Sequence, residues 1–424
     1  MHGVVVSTAR PGRPAIAIAC LLVVCGLITG CGRREASDGA VRLVMTTAGG
    51  VKERDIYNQA VSRFEAQHPN IHVRILPISK DYYRKVLVMI AGRDAPDLMW
   101  MGQSFGEFAG RGAFMDLSAR IAEEVDLDDY FDQPVGWYNI DGKQLGIPFA
   151  IDTDFVVYNK ALLDEAGVEY PTDDWTGEDL IRKAKALTLD RDRDGRTDQY
   201  GYRGNVDSSA FGAEIISADG KTPLCNSPEM IDYLQFTLDV VHKHRICPLP
   251  GDVEQEGLDT ISLFRQGKAA MMRFYTWSLP ELRDKCADLD WDIVMMPKFA
   301  QRAHWASSQA ILVSSETPYP DEAWLLCKYF FSDEFQRIMA FRGLPPSRKV
   351  AEKIVAENDE APENLAVLLK AADYLYPFPR VAHLQELMEH FWNAAESVDA
   401  QRATPQEALQ RAEKAMWRTI ERRQ

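Results

Sequence analysis

Apolar residues recur along this chain with two alternating periods. Val41–Thr46 and Ile71–Ile75 are short aliphatic runs that predict strands, and Ala48-Gly49-Gly50 predicts the turn after the first. Between them, Arg54–Gln67 puts Ile56, Ala60, Val61 and Phe64 on one helical stripe, and Tyr82–Ala91 predicts a second helix. Asp97–Met101 is apolar and bounded by Pro96 and Gly102, as a buried strand is. Phe155–Tyr158 reads as strand and Gly177–Leu187 as helix, and the C-terminal part is mostly helical in period, as in Asp321–Phe331 and Pro405–Ile420. Strands alternating with helices predict an α/β fold with largely parallel sheets. No repeat of solenoid period interrupts the pattern.

The N-terminus departs from this rhythm. Arg10 and Arg13 precede Ala15–Gly30, sixteen residues without a charge. That run is short for a spanning helix, which needs about 20 residues, and suits a signal-peptide core. It ends in Leu27-Ile28-Thr29-Gly30-Cys31, which resembles a bacterial lipobox. The resemblance implies cleavage before Cys31, lipidation of its thiol, and residues 31–40 as a polar tether. The alternative is a plain signal peptide with an incidental cysteine.

Composition narrows the function. With 424 residues the chain exceeds the roughly 250–300 at which single cores stop growing, so two lobes are expected. Its net charge of −15, which becomes −17 once Arg10 and Arg13 leave with the signal, argues against a nucleic-acid partner, because phosphate binding needs a basic face. Export would place Cys225, Cys247, Cys286 and Cys327 in an oxidising compartment, where disulfides can form. Cys225 and Cys247 flank a predicted helix whose ends lie too far apart for one bridge.

Several short motifs then occur in a particular order. They are Phe64-Glu65 with His68-Pro69-Asn70, Ala95-Pro96-Asp97-Leu98, Gly146-Ile147-Pro148 ahead of Val157-Tyr158-Asn159-Lys160, and Gly267-Lys268-Ala269-Ala270-Met271 followed by Trp277. Gly343-Leu344-Pro345-Pro346 and Thr404-Pro405-Gln406-Glu407-Ala408-Leu409 complete the set. Together they resemble bacterial extracellular solute-binding proteins of the maltose-binding type. The resemblance implies a two-lobed α/β fold with the solute between the lobes, and crossings near 150–153, 306–310 and 360. Residues 41–151 and 308–360 would form one lobe, and 152–307 with 361–424 the other. It also implies a monomeric lipoprotein facing the periplasm or cell exterior, delivering a carbohydrate to the permease subunits of an ABC importer.

Asp190-Arg191-Asp192-Arg193-Asp194-Gly195-Arg196-Thr197-Asp198 is the sharpest local motif. Alternate carboxylates before a glycine match the first part of an EF-hand loop, and calcium needs six to eight hard oxygen ligands. Asp190, Asp192 and Asp194, the carbonyl of Arg196, and Asp198 or the side chain of Gln199 are the candidate ligands. Gly201 stands where an EF-hand has its bidentate Glu. The expectation is a structural calcium site, and a solvated acidic turn is the alternative.

Sugar sites stack rings on pyranose faces and bridge hydroxyls with planar polar groups. The resemblance places Gln103, Ser104, Asp152, Asp154, Arg203, Asn205, Tyr275, Trp277, Trp305 and Arg380 at the cleft. A loop Trp is otherwise most often a core plug, Asp152 could be a hinge residue, and Arg203 a surface charge. No His-Glu-x-x-His, Gly-x-Ser-x-Gly, P-loop or Gly-x-Gly-x-x-Gly motif occurs, so no enzyme is expected. Two rival readings are a surface enzyme acting on polysaccharide, and the same binding fold taking a cation or a phosphorylated polyol.

Overall fold

The protein is described by a computed structural model covering residues 39–423, apart from 103, 250–258, 378, 380 and 382. The signal segment, Cys31, Gln103 and Arg380 therefore lie outside the described residues. The strands in chain order are β1 (Val41–Thr47), β2 (Ile71–Pro77), β3 (Leu98–Met101), β4 (Asn139–Ile140), β5 (Lys143–Gln144), β6 (Ala150–Asn159), β7 (Tyr200–Arg203), β8 (Ala269–Tyr275), β9 (Trp291–Val294), β10 (His304–Val313) and β11 (Leu375–Pro377). All but the β4–β5 hairpin join one sheet, in the order β2-β1-β3-β10-β6-β8-β7, with β11 on β10 and β9 on β6.

The helices lie close to the predicted spans. They include Val51–Gln67, Tyr82–Ala91, Gly177–Leu187, Pro320–Phe330 and Pro405–Arg423. Local chemistry fixes their starts: Thr176 and Asp179 form a capping box, and the Ser227 side chain accepts from Met230 N ahead of Pro228. The expectation of largely parallel sheets holds at the ends of the path, where β1–β2, β1–β3 and β7–β8 are parallel. It fails in the middle. There β10 runs antiparallel to both β3 and β6, and β6 antiparallel to β8 and β9. The reason is topological: β6 carries the chain out of the first lobe and β10 brings it back.

β6 runs from one core cluster to another, and β10 joins the first of them. Tyr57, Phe64, Phe149, Trp324 and Phe335 form one cluster, and Tyr202, Leu234, Met271 and Phe391 belong to another. A further cluster runs through both halves, from Met99 and Phe105 to Phe155, Phe274 and Leu312. Across the crossing, Ala306, Ser307, Ser308 and Gln309 pair with Thr153, Asp152, Ile151 and Ala150. Cys225, Cys247, Cys286 and Cys327 are buried free thiols, each packed as a small apolar group. Among the described residues no helix is long and apolar enough to cross a membrane.

Candidate functional site

A cavity of about 360 Å³ opens beside the crossing strands. Its walls include Trp137, which precedes the first crossing, and Asp207, Ser208 and Glu214, which follow it. Trp305 on β10 and Tyr376 on β11 close the side, held next to each other by the β10–β11 pairing. The Tyr376 hydroxyl donates to Glu214 Oε1 at 2.9 Å. Burial and that carboxylate together push the Tyr376 phenol up.

Trp305 also belongs to a box of three rings. Tyr275 and Trp277 stack with centroids 4.4 Å apart and planes 6° from parallel. Trp305 stands edge-on to both, at 5.2 Å from Tyr275 and 5.6 Å from Trp277. Trp277 is 39% exposed, while Tyr275 and Trp305 are half-buried, so the box opens to solvent chiefly at Trp277. The three aromatics predicted for the cleft are thus brought together. A flat apolar surface with carboxylates and hydroxyls nearby is the arrangement that can pack a sugar ring and bridge its hydroxyls.

Comparison with known proteins now bears on this geometry. The model for bacterial extracellular solute-binding proteins matches residues 50–337. The chain belongs to that family. This solute-binding protein is 24% identical over 271 residues to an arabinooligosaccharide-binding protein of Halalkalibacterium halodurans, covering 61% of this chain and 59% of that one. It is 20% identical over 311 residues to a maltotriose-binding protein of Pyrococcus abyssi, covering 70% and 64%. The matched stretches thus span less than two thirds of either relative. Among solved structures, an ABC substrate-binding protein of Listeria monocytogenes in complex with cycloalternan superposes with a TM-score of 0.78 at 25% identity, over 90% of this chain and 99% of that one. Maltose-bound MalE3 of T. maritima gives 0.72 at 22% identity, over 89% and 99%. The two-lobed architecture expected from the sequence is the fold of these neighbours.

The polar residues expected in this binding protein's cleft divide. Asp154 is buried beneath the box, ion-paired to Arg273 with Nη2 2.6 Å from Oδ2. Burial pushes its carboxyl up, but the Arg273 guanidinium and the His304 hydrogen bond outweigh that and hold it below the usual range. Asn205 accepts from Arg273 Nη1 at 2.7 Å. The acceptor atoms of both residues are thus engaged by Arg273 and His304. Asp152 accepts from Gln309 Nε2 at 2.8 Å, while its Oδ1 is buried with no protein partner. Burial raises the Asp152 carboxyl, against the opposing pull of Arg342. Ser104 lies half-buried at the start of helix Phe105–Ala109, where the Tyr83 hydroxyl reaches it.

Arg203 is placed differently. It lines a second cavity, of about 450 Å³, with Thr237, Val240, His242 and Cys247. It lies on β7, where its Nη1 is 3.4 Å from Thr260 Oγ1. The residues the sequence reading missed are Trp137, Asp207, Ser208, Glu214, Tyr376 and Arg273. The acids are anonymous among 63, and only Arg273 carried a signal, as a lone cation inside the apolar run Ala269–Phe274.

The acidic loop lies elsewhere on the surface. Asp190, Asp192 and Asp194 are exposed, and one oxygen from each can be drawn within 4.8 Å of the others. Each also accepts from a loop amide: Gly195 N on Asp190, Asp194 N on Asp192, and Arg196 N on Asp194. One Asp198 oxygen takes Arg191 N at 2.6 Å. Gln199 is buried, its amide donating to Leu187 O and accepting from Arg191. The remaining oxygens suit a hard cation.

Proposed function

We propose that this protein is an exported, lipid-anchored receptor that captures an oligosaccharide between its lobes and presents it to an ABC importer. The box of Tyr275, Trp277 and Trp305, which meets the cavity through Trp305, carries this reading. Its stacked faces suit pyranose rings, and Glu214, Asp207 and Tyr376 suit hydroxyls. Lobe closure about the crossing strands would bury the sugar and create the surface a permease recognises. Buried hydrogen bonds at roughly 0.5–1.5 kcal/mol each, with ring stacking, are enough for micromolar affinity. We read the protein as a monomeric receptor with no catalytic step, and Asp190, Asp192 and Asp194 as the core of a structural calcium site, with the Arg196 carbonyl and Asp198 beside them.

Titrating the protein with maltodextrins and arabinooligosaccharides, followed by tryptophan fluorescence and calorimetry, tests the ligand. A saturable shift without release of reducing ends supports the receptor, whereas turnover would make it an enzyme. A saturable response to a peptide or metal complex alone would overturn the carbohydrate reading. The anchor is tested by intact mass of membrane-extracted protein. The acylated chain beginning at Cys31 is expected, and Cys31→Ser should release soluble protein, since stable anchoring needs more than one acyl chain.

A further inference from the structure

Arg273 sits on β8 with its side chain only 5% exposed, and Asp154 opposite it only 1% exposed. Its Nε and Nη2 both reach Asp154 Oδ2, at 2.9 and 2.6 Å, and Nη1 reaches Asn205 Oδ1 at 2.7 Å. The neighbouring chain is shaped to admit it. Gly204 has φ +147°, and a Cβ there would lie 2.7 Å from Arg273 Cβ, so a larger residue would collide with the arginine stem. A buried ion pair of this kind is weak evidence for stability, because an apolar pair of similar volume often does as well. Its position suggests another use.

The Arg273 guanidinium carbon lies 5.1 Å from the centroid of Tyr275, and Tyr275 in turn stacks on Trp277. Guanidinium, phenol and indole thus form a row, each touching the next, from the buried Arg273 through the half-buried Tyr275 to the exposed Trp277. The same Asp154 carboxylate engages His304 Nδ1 through Oδ1 at 3.1 Å, and His304 directly precedes Trp305. One buried carboxylate therefore engages both Arg273, whose guanidinium lies over Tyr275, and His304, the residue before Trp305 on β10. Asp154 lies on β6 and His304 on β10, the two crossing strands, so the box is tied to the hinge and not to one lobe alone.

We infer that Arg273 is the positioning residue of the aromatic platform, fixing the Tyr275 ring from behind so that Trp277 meets the sugar already in its binding orientation. Cation–π attraction sets the ring, and Asp154 with Asn205 sets the cation. Preorganisation of this kind raises affinity by removing the ordering that binding would otherwise require. The inference rests on the carbohydrate reading above, so its first readout needs no sugar.

The stacked Tyr275–Trp277 pair should give a near-ultraviolet circular dichroism signal, defined as the part that Trp277→Ala abolishes. In Arg273→Met that signal should be lost, and affinity for the oligosaccharide that binds the wild type should fall at least tenfold. The double variant Arg273→Met/Asp154→Asn removes both charges yet leaves an oxygen for His304. It should recover melting temperature while recovering neither the signal nor the affinity, and it carries the test should the single variant not fold. Wild-type dichroism in Arg273→Met would overturn the inference. So would recovery of signal and affinity together with stability in the double variant, since Arg273 would then act through stability alone. Should no oligosaccharide bind the wild type, the carbohydrate reading falls, while the dichroism still decides whether Arg273 sets the platform.

Discussion

In the acidic loop, the carboxylates that would hold a cation come from one continuous run, Asp190 to Asp198, and stand in solvent. In the aromatic box, the rings come from β8 with the turn after it and from β10, the supporting charges from β6 and β8, and a supporting amide from the segment after β7. The loop's charges are screened by water and stabilised by their own backbone amides. The box's charges lie where the dielectric is low, so removing one leaves its partner stranded. Perturbing the loop should be felt locally and only in proportion to bound metal. A change to the box should spread, because Asp154 engages Arg273 on β8 and His304 on β10 at once.

The largest effect tests that difference directly. Asp154→Ala leaves Arg273 buried without its carboxylate, and should lower unfolding free energy by about 3–5 kcal/mol in chemical denaturation. A loss under about 1 kcal/mol would place the pair in a far wetter setting than its burial indicates. The pH dependence follows. Because the native state holds the Asp154 proton more weakly than the unfolded chain, the pair's stabilisation is complete above the ordinary aspartate value of 3.8. Below it, stability should fall as pH drops through the depressed native value, and this component should be missing from Arg273→Met/Asp154→Asn.

The loop comes second. Calcium at a hundredfold excess over Kd should stabilise by about 2.7 kcal/mol, so EDTA should lower the melting temperature and calcium restore it. In Asp192→Ala/Asp194→Ala the two media should give the same melting curve. A wild type already indifferent to EDTA and calcium would show the loop to be a solvated turn.

Ring removal is expected to act on binding more than on folding. Trp277→Ala is partly exposed and should lose at least tenfold in oligosaccharide affinity, about 1.4 kcal/mol, with little change in melting. If Trp277→Ala and Trp305→Ala both bind as wild type does, the platform lies elsewhere. The smallest effect is set for Arg203→Ala, whose cavity is separate from the one beside Trp305. Its sugar affinity should stay within about 0.5 kcal/mol of wild type, as for a substitution away from the site. A tenfold loss would join the two cavities into one site.

The chain itself determined whatever depends on neighbours in sequence. The helical stripes fixed Tyr82–Ala91 and Gly177–Leu187 to the residue, because amphipathic period and caps are local properties. Asp-x-Asp-x-Asp-Gly brought its three carboxylates together because a turning loop does so wherever it is placed. Tyr275, Trp277 and Trp305 were legible through family resemblance, as aromatics flanking strands. What only the tertiary structure decided was which polar groups remain free once the strands pair. Asp154 and Asp152 sit two residues apart on β6, yet one is claimed by Arg273 and His304 while the other keeps an unpartnered oxygen beside Gln309. Arg203 and Arg273 are both arginines on adjacent parallel strands, and the fold gives one to a second cavity and sets the other over the Tyr275 ring. The antiparallel middle of the sheet was likewise invisible, since strand direction depends on which lobe the chain enters next. Burial, pairing and direction are relations between distant segments, and no local pattern of residues encodes them.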